Sequence, residues 1–330
     1  MGSSSRRTSA HLSVSPSNMT YQGGHFLLRW STTGATYCTL SASPRFWRGP
    51  NPARVYCHGK LSATFPAVAL GGKWKFTLKA SKGKRGKAAS VRRTFTLHAP
   101  PFKISSNWAG YAISPGTPIT EVSGRFTVPR LNCKNSGTEA MWVGIGGAGA
   151  GTGDLLQTGV ESTCSGGVQV VDPAWWEEFP EYHAMNFNSM SVSPGDQIQA
   201  SVYQANDSSW YTRLDDLTTG VSGLMHTGDA WGTVLDSAPT TWHQQEGDAS
   251  TVAYGGGSSA DWIIEDPQYD NGTQAPLVHF GTVAFANLTT SLPSWSLTPD
   301  DAIGLGANNG LLFAAPSAPA GNAFSVTYTG

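Results

Sequence analysis

Apolar and polar side chains alternate with a period of two in short runs along most of the chain. Early examples are His25-Phe26-Leu27-Leu28-Arg29-Trp30, Ala53-Arg54-Val55-Tyr56-Cys57, Lys73-Trp74-Lys75-Phe76-Thr77-Leu78 and Arg93-Thr94-Phe95-Thr96-Leu97. Later ones are Glu121-Val122-Ser123-Gly124-Arg125-Phe126-Thr127-Val128, Gln197-Ile198-Gln199-Ala200-Ser201-Val202-Tyr203 and Phe324-Ser325-Val326-Thr327-Tyr328. Successive side chains of a strand point to opposite faces, so this pattern predicts half-buried strands. Gly, Pro, Ser and Thr clusters separate the runs as turns, and no convincing amphipathic helix interrupts them. The fold class is therefore all-β. Residues 104–330 are enough for two packed antiparallel sheets, curved so that one concave face forms a groove. Residues 222–257, rich in Gly, Thr, Ser and Asp, are expected to form a long loop insertion.

Composition sharpens this picture. Charged residues make up 13% of the 330, against about 25% in an average globular protein. The 39% hydrophobic content with 12 Trp still supplies a sizeable core. No apolar run approaches the roughly 20 residues that span a bilayer, and Met1-Gly2-Ser3-Ser4-Ser5 lacks the apolar core of a signal peptide.

The net charge of −1 conceals a sharp division. Residues 1–103 hold 17 Lys or Arg and no Asp or Glu, whereas residues 104–330 hold the other 4 basic residues and all 22 acidic ones, giving formal charges of +17 and −18. The switch falls at Pro100-Pro101, which suits a stiff linker. The expected organisation is a disordered N-terminus over 1–10, a basic domain over 11–99, a linker over 100–104 and an acidic domain over 105–330. Clustered basic residues invite a nucleic-acid reading, but no motif supports one, and Lys82-Gly83-Lys84-Arg85-Gly86-Lys87 has the character of a solvated hairpin tip. Intramolecular attraction between the basic residues 1–103 and the acidic domain is the sharper expectation.

Two of the four cysteines lie in each domain. Three pairings exist, and independent domains favour Cys38 with Cys57 and Cys133 with Cys164. No Cys or His spacing suits zinc, so no metal is expected. Structural disulfides imply an oxidising compartment and hence a secreted, extracellular protein. With about 90 residues, short strands, a Trp and a Cys pair, the basic domain resembles bacterial immunoglobulin-like modules, although its Cys spacing is shorter than in antibody domains.

Two polar residues stand within apolar strands of the acidic domain: Gln157 in Leu155-Leu156-Gln157-Thr158-Gly159 and Glu265 in Trp262-Ile263-Ile264-Glu265. Alternation puts Glu265 on the face of Ile263, partly desolvated, where a carboxyl gains a raised pKa suited to general acid and base work. Either residue taken singly also fits a strand position facing solvent.

Together with their neighbours they form an ordered succession: Ser106-Asn107-Trp108-Ala109-Gly110-Tyr111, Phe126-Thr127-Val128-Pro129, Trp142-Val143-Gly144-Ile145-Gly146, Leu156-Gln157-Thr158-Gly159, Ala174-Trp175-Trp176-Glu177, Leu217-Thr218-Thr219-Gly220, Trp262-Ile263-Ile264-Glu265 and Phe280-Gly281-Thr282-Val283. This succession resembles the glutamic peptidases, the eqolisin family, in their bacterial form. The resemblance implies a concanavalin-like β-sandwich of two curved antiparallel sheets and a secreted, pepstatin-insensitive acid endopeptidase acting on protein or peptide substrates without a cofactor. It implies Gln157 and Glu265 as the catalytic pair, with Glu265 as carboxylate base and later acid, and Gln157 as oxyanion donor. It also implies Trp142, Trp175 and Glu177 along the substrate cleft. Fungal members carry Asp where this chain has Gly146. The competing class is a carbohydrate-binding lectin or polysaccharide hydrolase on the same sandwich, with tryptophans stacking on sugars and Glu177 with Glu265 as the carboxylate pair.

Overall fold

The computed structural model describes residues 7–68, 70–148, 154–187, 190–206, 208–227, 244–250, 254–269, 272–307 and 309–330, with side chains undescribed over 244–250. The chain forms two compact units, one of residues 1–100 with 309–312 and one of residues 101–308 with 313–330.

The first unit has two sheets. Ser9–Ser15, Gly24–Thr33 and Gly59–Phe65 make an antiparallel three-stranded sheet, and Asn18–Met19, Ala89–Leu97, Gly72–Ser81, Tyr37–Ser43 and Ala53–Val55 make a five-stranded one. The alternation seen in the sequence buries Leu12, Phe26 and Leu28 from one sheet and Leu40, Phe76, Leu78 and Phe95 from the other in a single core. Phe26 sits among Phe95, Phe46 and Phe76, with ring centroids 4.8, 5.3 and 5.5 Å away. Cys38 is bonded to Cys57.

The second unit is a β-sandwich. In one layer Ala260–Glu265 lies between Trp108–Ile113 and Gly137–Gly146, antiparallel to both, and the sheet continues through Leu155–Ser165 to Trp175–Phe179. The other layer joins Glu121–Thr127 to Gln197–Gln204 and Thr282–Thr290, and extends through Trp210–Asp216 and Phe324–Tyr328. Alternate residues of both layers meet in one apolar core: Met141, Val143, Leu156, Trp262 and Ile264 from the first, and Val122, Phe126, Ile198, Val202 and Phe285 from the second. Cys133 is bonded to Cys164.

Two pairings are parallel within the largely antiparallel sheets: Ala302–Gly306 with Lys103–Ser105, and Val221–Thr227 with Gln244–Ser250. One sequence expectation needs correction, because those last two strands overlap the expected 222–257 loop. Val221–Thr227 pairs with Trp210–Asp216 and is buried on both faces from Ser222 to Thr227. A strand buried on both faces has no alternation to reveal it, and its Ser, Gly and Thr content imitates a loop. Residues 228–243 and 251–253 of that segment lie outside the described residues. Among the described residues, no helix is long and apolar enough to cross a membrane.

Trp262 anchors the central strand. It is 0% exposed, its indole N–H donates to the Ser123 carbonyl of the other layer at 2.8 Å, and its ring stacks on Trp295 at 5.6 Å. We expect Trp262→Ala to cost about 3 to 5 kcal/mol, the usual range for deleting a buried aromatic. Denaturant unfolding of the full chain checks this, and a loss below about 1 kcal/mol would mean that the layers are not joined there.

Candidate active site

The first layer carries its core residues on one face and a second, smaller set on the other: Ala140, Trp142, Leu155, Trp175 and Ile263, with Trp108 packed against them. Across that outer face the strand registers set out three rows. Glu265, Ala140 and Glu161 form the first; Ile263, Trp142, Gly159 and Trp175 the second; Asp261, Gly144, Gln157 and Glu177 the third. A cleft of about 730 Å³ lies over this face, its lining including Asn107, Gln157, Glu161, Trp175, Glu177 and Glu265.

Glu265 ends its strand with both carboxyl oxygens engaged. Oε1 accepts from Asn107 Nδ2 at 2.9 Å and Oε2 from Trp142 Nε1 at 2.7 Å. Asn107 is aimed by a tight local turn, in which Ser105 Oγ donates to Asn107 Oδ1 at 3.1 Å and accepts from Trp108 N at 3.1 Å. Burial drives the Glu265 pKa up to about 7 against the opposing pull of the Trp142, Trp108 and Asn107 donors, with the nearby Glu177 charge adding to the rise. Desolvation penalises the charged carboxylate more than these three donors compensate.

Gln157 is 4% exposed. Its Nε2 donates to Glu177 Oε2, while its Oε1 has no partner among the described residues. Burial raises the Glu177 pKa and the Gln157 hydrogen bond lowers it. The amide therefore has one N–H fixed and a second N–H, together with Oε1, uncommitted.

Both expected catalytic residues thus line one cleft with Trp175 and Glu177. Trp142 differs from expectation: it is fully buried beneath the cleft and acts as a donor to Glu265 instead of forming the wall. The sequence reading assigned no role to Asn107, Trp108, Glu161 or Asp172, which also line the cleft. Glu161 was within reach, since it shares the parity of Gln157 on one strand; Asp172 follows a strand end and had no such signal. Among the described residues no group of three or more His, Cys, Asp or Glu is arranged to hold a metal.

A family model for the peptidase A4 family matches residues 106–328. The chain belongs to this family, the glutamic peptidases. It is 30% identical over 246 residues to aspergillopepsin-2 of Aspergillus niger, covering 68% of this chain and 78% of that one. It is 35% identical over 144 residues to scytalidopepsin B of Scytalidium lignicola, covering 41% of this chain and 53% of that one. Among solved structures it resembles scytalido-glutamic peptidase with a transition-state analogue inhibitor, at 26% identity and a TM-score of 0.50, over 68% of this chain and 98% of the other.

Within this glutamic peptidase, Gly146 has its own structural reason. Its φ is +98°, and a Cβ there would fall 2.1 Å from the Asp154 carbonyl oxygen. An Asp at 146 therefore cannot be added without moving the backbone. Gly146→Asp should lower stability by about 1 to 3 kcal/mol, and a thermal melt equal to wild type would disprove the constraint.

The buried acids also set how stability varies with pH. Burial raises Glu139 to about 8 and Glu161 and Asp266 to about 7, alongside Glu265 at about 7. A carboxyl with a raised folded pKa binds its proton more tightly folded than unfolded, so stability is fully present below the unfolded value near 4.5 and falls as pH rises towards 7 or 8. We expect the melting temperature to be highest in acid and to fall from pH 4 to pH 8, with Glu139→Gln recovering a few kcal/mol at pH 8. Melts that rise over that interval would contradict this.

Proposed function

We propose that this glutamic peptidase is a secreted endopeptidase that cleaves peptide bonds at acid pH with Glu265 and Gln157. The observation that supports this best is the pairing of a buried carboxyl, held by two donors, with a half-committed amide along one cleft. The carbonyl carbon must receive water, its oxygen must be stabilised, and the leaving nitrogen must gain a proton.

The raised pKa modifies the sequence expectation of a simple carboxylate base. A carboxyl titrating at about 7 is protonated throughout the acid range, so at pH 3 to 5 Glu265 acts in its neutral form. One carboxyl oxygen gives its proton to the substrate carbonyl oxygen while the other takes a proton from the attacking water. The product is a neutral tetrahedral diol, and Glu265 is protonated as before. In the second step Glu265 gives its proton to the leaving nitrogen and takes one from a diol hydroxyl, and the C–N bond breaks to leave acid and amine. The free N–H of Gln157 donates to the diol oxygen as it forms, and Glu177 holds the amide in that orientation. Glu177 is thereby committed to Gln157, which removes the support for a glycosidase pair made of Glu177 and Glu265.

A preorganised donor to the carbonyl oxygen as it becomes tetrahedral is worth up to roughly 3 to 4 kcal/mol, so Gln157→Ala should lower kcat by up to about 1000-fold, and Glu265→Ala should abolish turnover with the fold retained by circular dichroism. Pepstatin should have no effect. The wild-type kcat/KM should be level across the acid range and fall above about pH 7 as Glu265 ionises. A rate that climbs through pH 7 would show a carboxylate base instead and refute the neutral-acid mechanism.

Residues 1–103 are proposed as a pro-domain or accessory module, motivated by their charge of opposite sign. If they are a pro-domain, wild type incubated at pH 3 is cut near Pro100 and gains activity, whereas Glu265→Ala stays whole. A wild type that stays intact and fully active leaves the accessory role.

A further inference from the structure

The peptidase mechanism leaves the first unit without a role, and its cations are not spread evenly. Of the 17 Lys and Arg in residues 1–103, nine fall between residues 73 and 93. That stretch is one antiparallel hairpin, Gly72–Ser81 with Ala89–Leu97, in the five-stranded sheet. Strand parity divides it: Phe76 and Leu78 are buried in the core of the unit, whereas Lys73, Lys75 and Lys79 of the same strand are exposed. Residues on one side of a strand recur about every 6.6 Å, so these lysines form a line about 20 Å long, interrupted at Thr77. Arg92 is paired with Thr77 and exposed, which puts a fourth cation beside the gap, one strand spacing of about 4.8 Å away.

The rest of this face suits a chain of anions. Ser43 and Thr94 flank Lys75, and Thr39 and Ser90 flank Lys79, so hydroxyl donors stand beside the ammonium groups. The unit contains no Asp or Glu to neutralise them. A line of cations at a regular step, with donors on both sides, matches a linear polymer carrying one anion per repeat. Two features decide which polymer. Single-stranded nucleic acid is held by aromatic side chains that stack on its bases as well as by cations; among the strands of this sheet the aromatic ring with outward parity is Tyr37, and the Arg54 guanidinium lies over it, 5.2 Å from its centroid. Carboxylate polymers lose charge as pH falls through about 4, whereas phosphodiesters stay ionised there, as Lys and Arg do.

We propose that the outer face of the hairpin over residues 72–97 docks a base-free phosphodiester polymer, a polyol phosphate chain, and so holds the peptidase on an anionic surface. Lys73, Lys75, Arg92 and Lys79 meet successive phosphates, and the Ser and Thr hydroxyls donate to their free oxygens. The choice of phosphate over carboxylate rests on the acid peptidase reading above; the face itself does not, and binding needs no catalysis. The inference supplies the accessory role of the first unit with a ligand.

The test measures binding of poly(glycerol phosphate), oligo(dT) and polygalacturonate to the full chain at pH 4 over a salt series, with Glu265→Ala as background so that self-cleavage does not enter. Poly(glycerol phosphate) should bind at least as tightly as the other two. Counterion release gives about 0.7 per phosphate neutralised on a flexible strand, so four contacts predict a slope of log K against log salt of about −3. Lys75→Gln combined with Lys79→Gln should halve that slope and weaken binding at low salt at least about tenfold, with an unchanged thermal melt. Lys60→Gln, exposed on the three-stranded sheet, should leave affinity within about twofold. No binding of poly(glycerol phosphate), the result expected if the acidic unit of the same chain occupied the face, overturns the proposal. So does binding that the paired lysine change leaves intact or that Lys60→Gln weakens as much. Tighter binding of oligo(dT) or of polygalacturonate overturns the assignment of the polymer. Each of these outcomes leaves the peptidase reading standing, since cleavage of peptides by the wild type is measured separately.

Discussion

Desolvation of carboxyl groups on an apolar sheet is the constraint around which this site is arranged. The strand Ala260–Glu265 is paired on both edges and buried on both faces up to Ile264, so Glu265, half-buried at its end, sits where a charge has little solvent to stabilise it. The Trp142 and Asn107 donors supply part of what water would have given, one from the neighbouring strand and one from the turn before Trp108. Removing the protein's own structure from around that carboxyl would leave an ordinary glutamate of pKa near 4.3. Proton affinity at Glu265 is therefore a property of the sandwich as much as of the residue.

The same constraint links the low charge of the chain to stability in acid. The sparse charge of the chain removes the ion pairs whose carboxylates would be protonated at low pH; among the described residues the ion pair is Arg213 with Asp215. That alone is passive. The buried acids add an active contribution, because Glu139, Glu161, Glu265 and Asp266 all hold protons more tightly in the folded state. Folding and acid conditions thus reinforce each other, the opposite of the ordinary linkage in which paired carboxylates make acid destabilising.

Much of this was legible from alternation. The parity of Ile263 with Glu265 placed both on the cleft side because that strand has one face on the cleft and one on the core, where Trp262 and Ile264 lie. Legibility failed where that asymmetry was lost. Val221–Thr227 is buried on both sides and looked like a loop. Trp142 was expected at the substrate cleft from the family resemblance, and a matching motif cannot say which groups lie above a residue. The Trp108 ring, 5.0 Å away and edge-on, shows that the face is layered. Asn107 was invisible for a different reason: its role depends on a side-chain turn at Ser105, which leaves no periodic trace.

The small residues of the cleft face then acquire a reason that composition alone could not supply. Gly159 stands where a Cβ would fall 2.1 Å from the Met141 carbonyl oxygen and 2.7 Å from the Trp142 Cβ. Its absence of side chain lets the strand carrying Gln157 lie close against the strand carrying Trp142, and so ties the position of the amide to that of the donor that holds Glu265. Ala140 occupies the corresponding place between Glu265 and Glu161. Large side chains at either position would separate the acids and the amide that the register brings together. The functional residues are thus spaced by what is missing between them, and a strand register that brings small residues into the rows of the acids and the amide is what turns a sheet face into a cleft.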